Sequence, residues 1–414
     1  MTRQIAENIT LLSMNVEGLL FEGMWHLPKG VTLNSYIVKG RETAIIDGFC
    51  GWDGVPETLY KLLDEAGVEL ESIRYLVVNH MEPDHSGWIE SFRKLHNNFE
   101  IYCTKESAAL LKSFYGHQGP IHEITDGEEL DLGNEMKLLF KKTPNVHWPD
   151  TMMTFEQHTG TLFSCDCFGS FGTLTHNLAS EQSEEGLVAY EREQLRYYAA
   201  ILNTFSSFVT RAIQKIEQLP INRIAPGHGL VWDSPQWAHH VITDYKRYTA
   251  YAQGNAEKKI VILFGSMYGN TENMANLAKA YLATKNIPVT MLKVPETDMG
   301  TVLMYTLEAK GIIVASPTYE YKMFPPMVST LDEMGKKLVT NRKAVYFGSY
   351  GWSGGCLKEY NELVENRRMK YESFGETEFN GAPNEESIAK VKQDLDALVA
   401  SLEEFEVHRL APKA

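Results

Sequence analysis

The stretch from Val77 to Ser86 constrains this chain more than any other. Ile73 to Val78 is an apolar, β-branched run that reads as a buried strand, and it passes directly into His80-Met81-Glu82-Pro83-Asp84-His85. Two imidazoles and two carboxylates thus fall within one short loop at a strand's end. Pro83 bars ladder pairing or regular helix there, so the polar side chains are expected to splay from a rigid loop. Ser86 reads as the N-cap of a following helix on which Trp88, Phe92 and Leu95 recur at helical spacing. Burying such groups is costly unless they hold something, and a metal ion satisfies all of them at once.

The chain has 414 residues, more than one ordinary core accommodates, which points to two domains. Hydrophobic residues make up 43% and charged residues 22%, as in globular proteins. A net charge of −15 argues against nucleic acid and anionic membranes as partners. No apolar run approaches the roughly 18 residues needed to span a bilayer. Met1 to Asn8 is polar and lacks a signal-peptide core, so the expected location is the cytoplasm. Five cysteines are odd in number and scattered, which is no disulfide framework. Cys165 and Cys167 flank Asp166 at a spacing unlike a zinc knuckle or redox pair and read as buried reduced thiols.

Along the first half, strands are expected at Ile9–Leu12, Asn34–Val38 and Ala44–Asp47, the last two joined as a hairpin through Lys39–Glu42. A helix is expected near Val55–Ala66, then the strand that delivers His80. Ile101–Cys103 reads as a strand and Ser107–Phe114 as a helix. Met136–Lys142 reads as a strand ending in Thr143-Pro144-Asn145-Val146-His147, and Thr161–Ser164 as one that delivers Asp166. A long helix, about Val188 to Leu219, precedes Arg223–Ala225 and the turn Pro226-Gly227-His228-Gly229. Strands that each end in a His or Asp before a turn suggest a two-sheet sandwich covered by helices, with a site along one edge where loops converge. The candidate metal ligands are therefore His80, Glu82, Asp84, His85, His147, Asp166 and His228. Adjacent Asp84 and His85 cannot both point inward from a regular strand, so a loop conformation is required there.

The pattern lapses into small and polar residues over Ala252–Lys258, which places a domain boundary near residue 254 and divides the chain into 1–253 and 254–414. Beyond it, strands at 260–264, 289–294, 311–315 and 343–347, with a shorter one at 371–374, alternate with helices. Met274, Leu277, Ala278 and Tyr281 share one face of the first helix; Ile388, Val391, Leu395, Leu398 and Leu402 share one face of the last. This alternation means a doubly wound parallel sheet, whose ligands bind at the carboxyl ends of the strands. Three loops occupy those ends: Ser266-Met267-Tyr268-Gly269-Asn270-Thr271, Ser316-Pro317-Thr318-Tyr319, and the run Gly348-Ser349-Tyr350-Gly351-Trp352-Ser353-Gly354-Gly355. The first, with hydroxyls and backbone N–H groups at a helix start, makes a phosphate cradle; lacking a lysine, it suits a monophosphate better than a nucleoside triphosphate. Tyr319, Tyr350 and Trp352 are placed to flank a flat ring.

These residues carry a resemblance. The C-terminal loops are similar to those of flavodoxins, although flavodoxins commonly have Thr where Tyr268 stands, and FMN is the implied ligand. His80-x-Glu82-x-Asp84-His85, with His147, Asp166 and Pro226-Gly227-His228-Gly229, resembles the metallo-β-lactamase fold, an αββα sandwich. Hydrolases of that fold usually have His where Glu82 stands, and this departure resembles the flavodiiron proteins (A-type flavoproteins). Four imidazoles and three carboxylates suit two irons, because carboxylate oxygen stabilises the ferric state, whereas zinc needs no redox partner. The resemblance implies that His80, Glu82 and His147 hold one iron, that Asp84, His85 and His228 hold the other, and that Asp166 joins them. His26, His176, Tyr36 and Trp148 are candidates for orienting the imidazoles.

The resemblance covers essentially the whole chain. It implies an oxidoreductase that reduces dioxygen to water, nitric oxide to nitrous oxide, or both. After the last helix only His408 to Ala414 remain, with no pair of C-x-x-C motifs for a fused rubredoxin, so an external donor is expected, a rubredoxin-like protein or a reduced deazaflavin. The family likeness further implies a head-to-tail homodimer, with pairing into tetramers left open. Two other readings are a zinc-dependent hydrolase with a flavodoxin-like redox or docking module, and an electron carrier with a structural metal.

Overall fold

The computed structural model describes residues 1–50 and 56–403. The start of the expected Val55 helix and the tail from His408 lie outside them. The chain forms two compact units: Met1–Tyr197 with Phe205–Lys246, and Tyr198–Thr204 with the residues from Arg247 on. The division falls at Lys246 and Arg247, inside the helix Pro235–Ala252.

The first unit contains two sheets. One has seven strands in the order Thr2–Ala6, Ile9–Val16, Val31–Lys39, Thr43–Ile46, Ile73–Val78, Glu100–Cys103, Ile121–Glu123. The first four are joined by antiparallel pairs and the last four by parallel ones. The other has five strands, Glu129–Gly133, Met136–Lys142, Met152–Glu156, Thr161–Cys165 and Arg223–Pro226, of which only the last pair is parallel. Alternation along the strands explains the layering. Leu11, Tyr36, Ile46 and Val77 meet Leu138, Phe140 and Phe163 of the second sheet in one core cluster. Their neighbours Leu12, Ile37, Ile45 and Leu76 point the opposite way, onto Leu59, Phe92 and Leu111 of the helices.

Several expectations are corrected. Pro83–Ser86 is a one-turn helix with Pro83 in its first turn, where the missing N–H costs nothing. Ser86 is no N-cap: its hydroxyl donates back to the Met81 carbonyl at 2.9 Å, and the next helix, Ile89–Leu95, follows Trp88. Leu95 is 58% exposed and Leu277 41%, so neither joins the face assigned to it; Trp88, Phe92, Met274 and Ala278 are buried. The long helix breaks into Glu184–Tyr197, a wide π turn Tyr198–Leu202, a short 3-10 turn Asn203–Phe205, and Ser206–Ile216. All of Tyr198 to Leu202 are buried, which a helix with a single apolar stripe cannot achieve.

The second unit is a parallel five-stranded sheet in the order Val289–Lys293, Glu257–Phe264, Ala309–Ala315, Lys343–Tyr350, Glu372–Asn380. Its first crossover runs opposite to the later ones, so the switch point lies between Glu257–Phe264 and Ala309–Ala315. The last strand is longer than 371–374 because an edge strand, only half covered, can carry polar residues. Gly348 to Tyr350, expected as loop, ends the strand Lys343–Tyr350, and Thr318–Tyr319 pairs with Lys322–Met323 as a small hairpin. No helix among the described residues is long and apolar enough to cross a membrane.

Candidate metal centre and cofactor cleft

All seven candidate ligands are buried, and they come together. Ligand atoms of His80, Glu82, His147 and Asp166 lie within 4.8 Å of one another, as do those of Asp84, His85 and His228. Asp166 faces both sets. Its Oδ1 is 3.0 Å from His85 Nε2 and 3.4 Å from His228 Nε2; its Oδ2 is 3.2 Å from His147 Nε2 and 3.5 Å from His80 Nε2. Glu82 Oε2 lies 3.0 Å from His147 Nε2, and Asp84 Oδ2 3.4 Å from His228 Nε2. The helical turn at Pro83–Ser86 lets adjacent Asp84 and His85 both face the site, as no strand could.

Local chemistry delivers each side chain. Asp47, in the left-handed region at φ 49°, receives the Asn79 backbone N–H at 2.7 Å and its amide at 2.9 Å, which fixes the strand end before His80. Asp166 follows Cys165, also left-handed at φ 49°. The turn that presents His228 is gripped by Asn34, whose amide donates to Gly229 O at 2.8 Å, and by Tyr36, whose hydroxyl donates to Pro226 O at 2.7 Å. A Cβ on Gly227 would lie 2.7 Å from the His85 ring, so only glycine permits that approach.

The sequence missed the groups behind the imidazoles. His80 Nδ1 faces the buried Asp150 carboxylate at 3.3 and 3.4 Å, and His228 Nδ1 donates to the Thr32 carbonyl at 3.1 Å. Asp150 lies in a Pro-Asp turn with no periodic signal. Of the expected orienting residues, Tyr36 holds the turn before His228 and Trp148 packs edge-on against His80 at 5.0 Å; His26 and His176 are exposed. Tyr197, which sequence reasoning passed over, packs 5.9 Å from His228, and its buried hydroxyl has no hydrogen-bond partner.

Burial opposes charge at His80, Glu82, Asp84, His85, His147 and Asp166. At His85 the carboxylates of Asp84 and Asp166 outweigh it and push the imidazole up to about 10. At His147, Asp166 and Glu82 do the same, to about 9. His80 is raised against burial by Asp150 and Glu82. Asp166 is held well below the usual carboxylate range against burial by His85, His147 and His228, while burial wins at Asp84 and raises it. His80 Nε2, both Asp84 oxygens, Asp166 Oδ2 and His228 Nε2 nonetheless have no hydrogen-bond partner. Buried polar atoms left so, in two sets that share Asp166, are groups that could hold two metal ions.

In the second unit the expected cofactor loops form a single cleft of about 350 Å³ at the strand ends. Ser266, Met267, Tyr268, Asn270, Thr271, Pro317, Thr318, Tyr319, Ser349, Tyr350, Gly351 and Trp352 line it, with Glu320 and Gly381, which sequence reasoning did not pick. Gly269 is not in the lining; it turns the chain at φ 92° into the helix Asn270–Ala283, and its N–H donates to Ser266 Oγ at 3.0 Å. Thr271 Oγ1 and Ser349 Oγ meet at 2.8 Å. No Lys or Arg is among the described residues that line the cleft, so backbone N–H groups at the helix start and hydroxyls are left to receive an anion. Tyr268 and Trp352 are 92% and 79% exposed, a wide apolar rim for a planar ring.

Fold and site together define a metallo-β-lactamase-like metal domain followed by a flavodoxin-like domain. The family described as ODP family beta lactamase matches residues 31–229, and the flavodoxin family matches residues 262–392. An anaerobic nitric oxide reductase flavorubredoxin of Klebsiella pneumoniae is 32% identical over 344 residues, covering 82% of this chain and 69% of the relative. One of the same description from Pectobacterium atrosepticum is 32% identical over 347 residues, covering 82% and 65%. The chain spans about two thirds of the length of these curated relatives. Among solved structures, a flavo di-iron protein variant of Thermotoga maritima is 26% identical with a TM-score of 0.86, covering 96% of this chain and 99% of that one. The rubredoxin oxygen:oxidoreductase of Desulfovibrio gigas shares the fold at a TM-score of 0.90 and 22% identity, covering 97% and 98%. The chain belongs to the flavodiiron protein family.

Proposed function

We propose that this protein is an oxidoreductase that reduces dioxygen to water, nitric oxide to nitrous oxide, or both, at a pair of irons recharged through FMN. The observation that carries the reading is Asp166, a buried carboxylate whose two oxygens face two separate sets of imidazoles. When bound, FMN and the irons would supply the redox chemistry, storage and release of electrons by the flavin and reduction of the gas at the metals. His80, Glu82 and His147 would hold one iron, Asp84, His85 and His228 the other, and Asp166 would join them. Oxygen donors from three carboxylates favour the ferric state.

The chain's own residues do the rest. Asp166, with one oxygen toward each set of imidazoles, would hold the two ions close enough for one small molecule to reach both. Glu82 and Asp84, each 8% exposed, are the most accessible of the seven and mark the open side of the site. Tyr197, whose ring packs 5.9 Å from His228, keeps a buried, protonated hydroxyl with no hydrogen-bond partner, a proton donor beside the site. In the cleft of the second unit, Ser266, Thr271, Ser349 and the helix start would take the FMN phosphate, while Tyr319, Tyr350 and Trp352 would flank the ring.

Dioxygen needs four electrons and four protons; two nitric oxides need two of each. The names of the relatives support a rubredoxin-like donor, with a reduced deazaflavin as the alternative. The family likeness supports a head-to-tail homodimer, and the buried thiols of Cys103, Cys165, Cys167 and Cys356 support a reducing compartment such as the cytoplasm. The test is anaerobic stopped-flow of reduced, iron-quantified protein against each gas in turn. Rapid reoxidation by at least one gas is expected. Reoxidation by neither gas, or zinc without iron in the purified protein, refutes the proposal, the latter in favour of a hydrolase.

A further inference from the structure

We propose that Asp150 is a positioning residue that makes the two halves of the metal centre inequivalent, favouring the position served by His80. The proposal rests on the two-metal reading above. Asp150 belongs to neither ligand set, yet its carboxylate is fully buried and turns both oxygens to His80 Nδ1, at 3.3 and 3.4 Å. It is anchored from two other directions: the Met81 N–H donates to Oδ2 at 2.8 Å and Ser107 Oγ at 3.2 Å. Its own carbonyl accepts from Thr104 Oγ1 at 2.9 Å, and Thr104 caps the helix Lys105–Tyr115. A helix start, a strand end and a turn thus converge to hold one carboxylate against one imidazole.

With Nδ1–H committed to Asp150, His80 presents Nε2 as a lone pair toward Glu82, His147 and Asp166, the tautomer a metal requires. The other set has no such arrangement in its observed contacts. His228 Nδ1 donates to a neutral carbonyl, that of Thr32, at 3.1 Å. Asp47 is the other buried carboxylate nearby, but its oxygens are taken by the Asn79 N–H and amide at 2.7 and 2.9 Å, so it acts on His85 only through space. An imidazole backed by a carboxylate is a stronger donor than one backed by a carbonyl. The position held by His80, Glu82 and His147 therefore binds a divalent ion more tightly than the one held by Asp84, His85 and His228, and it is the first to become ferric.

The experiment titrates chelator-stripped, FMN-loaded protein with Co(II), followed by visible absorption, in wild type and Asp150→Asn. Wild type is expected to show a tighter and a weaker class. In Asp150→Asn the tighter class alone weakens, by roughly 10- to 100-fold, and the two converge, with partial recovery in Asp150→Glu. In the iron-loaded protein the gap between the two one-electron reductions narrows correspondingly. Should Asp150→Asn fail to fold, Ser107→Ala, which removes one anchor of the carboxylate, is expected to weaken the tighter class several-fold and spare the other. Equal weakening of both classes, or no change in either, overturns the proposal. A wild-type protein that holds fewer than two ions overturns the two-metal reading beneath it.

Discussion

Asp166→Asn is the most informative single change, because it keeps the shape of the side chain while removing its charge and exchanging one acceptor oxygen for an NH2 group. The metal-free protein gives the scale. His147 is raised from 6.5 to about 9 against a burial penalty, a net interaction of roughly 3 kcal/mol, with Asp166 the leading favourable cause. In the metal-free variant that loss is capped, since His147, His85 and His80 can release their protons. A divalent ion has no such escape, and the variant amide also turns an NH2 group toward one set of imidazoles. An ion held between these groups therefore loses on the order of 3 kcal/mol, roughly a hundredfold in affinity. The assay is anaerobic Fe(II) titration of stripped, FMN-loaded protein, with gas consumption measured on the same samples. The variant should hold at most one iron per chain tightly, keep its flavin, and consume neither gas at a measurable rate. Two irons bound at wild-type affinity would refute the reasoning.

The same ionisations predict a pH dependence. His85 and His147, raised to about 10 and about 9, stabilise the metal-free fold fully below about pH 6.5 and lose that contribution as pH climbs through 9 to 10. The melting temperature of stripped protein should fall over that window and that of loaded protein should stay flat, while metal affinity rises because fewer protons must be displaced; parallel melting curves would contradict this. Gly229→Ala forces a Cβ to within 2.1 Å of the Tyr190 hydroxyl at φ 85°, and a loss of about 2–4 kcal/mol is expected from chemical denaturation. An unchanged midpoint would show that the turn is not held as described. Thr271→Val removes the hydroxyl 2.8 Å from Ser349 Oγ and should weaken FMN binding about tenfold by flavin-fluorescence titration, with iron content unchanged. Equal affinity would place the phosphate elsewhere.

The convergence of the candidate ligands was legible because most of them stand where an apolar run gives way to a turn. His80, Asp166 and His228 end strands, and Gly or Pro punctuates the loops that present His85, His147 and His228. The cofactor cleft was legible for the same reason, since alternating strands and helices leave only one end of the sheet free for ligands. Asp150 was not legible: it sits among turn residues, and its partner His80 lies far away in the chain, so only tertiary structure reveals the pair. Leu95 and Leu277 show that helical spacing identifies a stripe without saying how far the partner surface extends. Met152–Glu156 is buried throughout, Thr154 and Glu156 included, so no clean alternation of apolar and polar residues marks it as a strand. The break at Tyr198–Leu202 was invisible because an apolar stretch buried on all sides carries no period to interrupt.

Diffraction recorded on both sides of the iron absorption edge, from crystals of iron-loaded protein, tests the central claim most directly. Two iron peaks are expected, each within coordination distance of a different Asp166 oxygen, one flanked by His80, Glu82 and His147 and the other by Asp84, His85 and His228. A single peak, or two that do not share Asp166, would contradict the account.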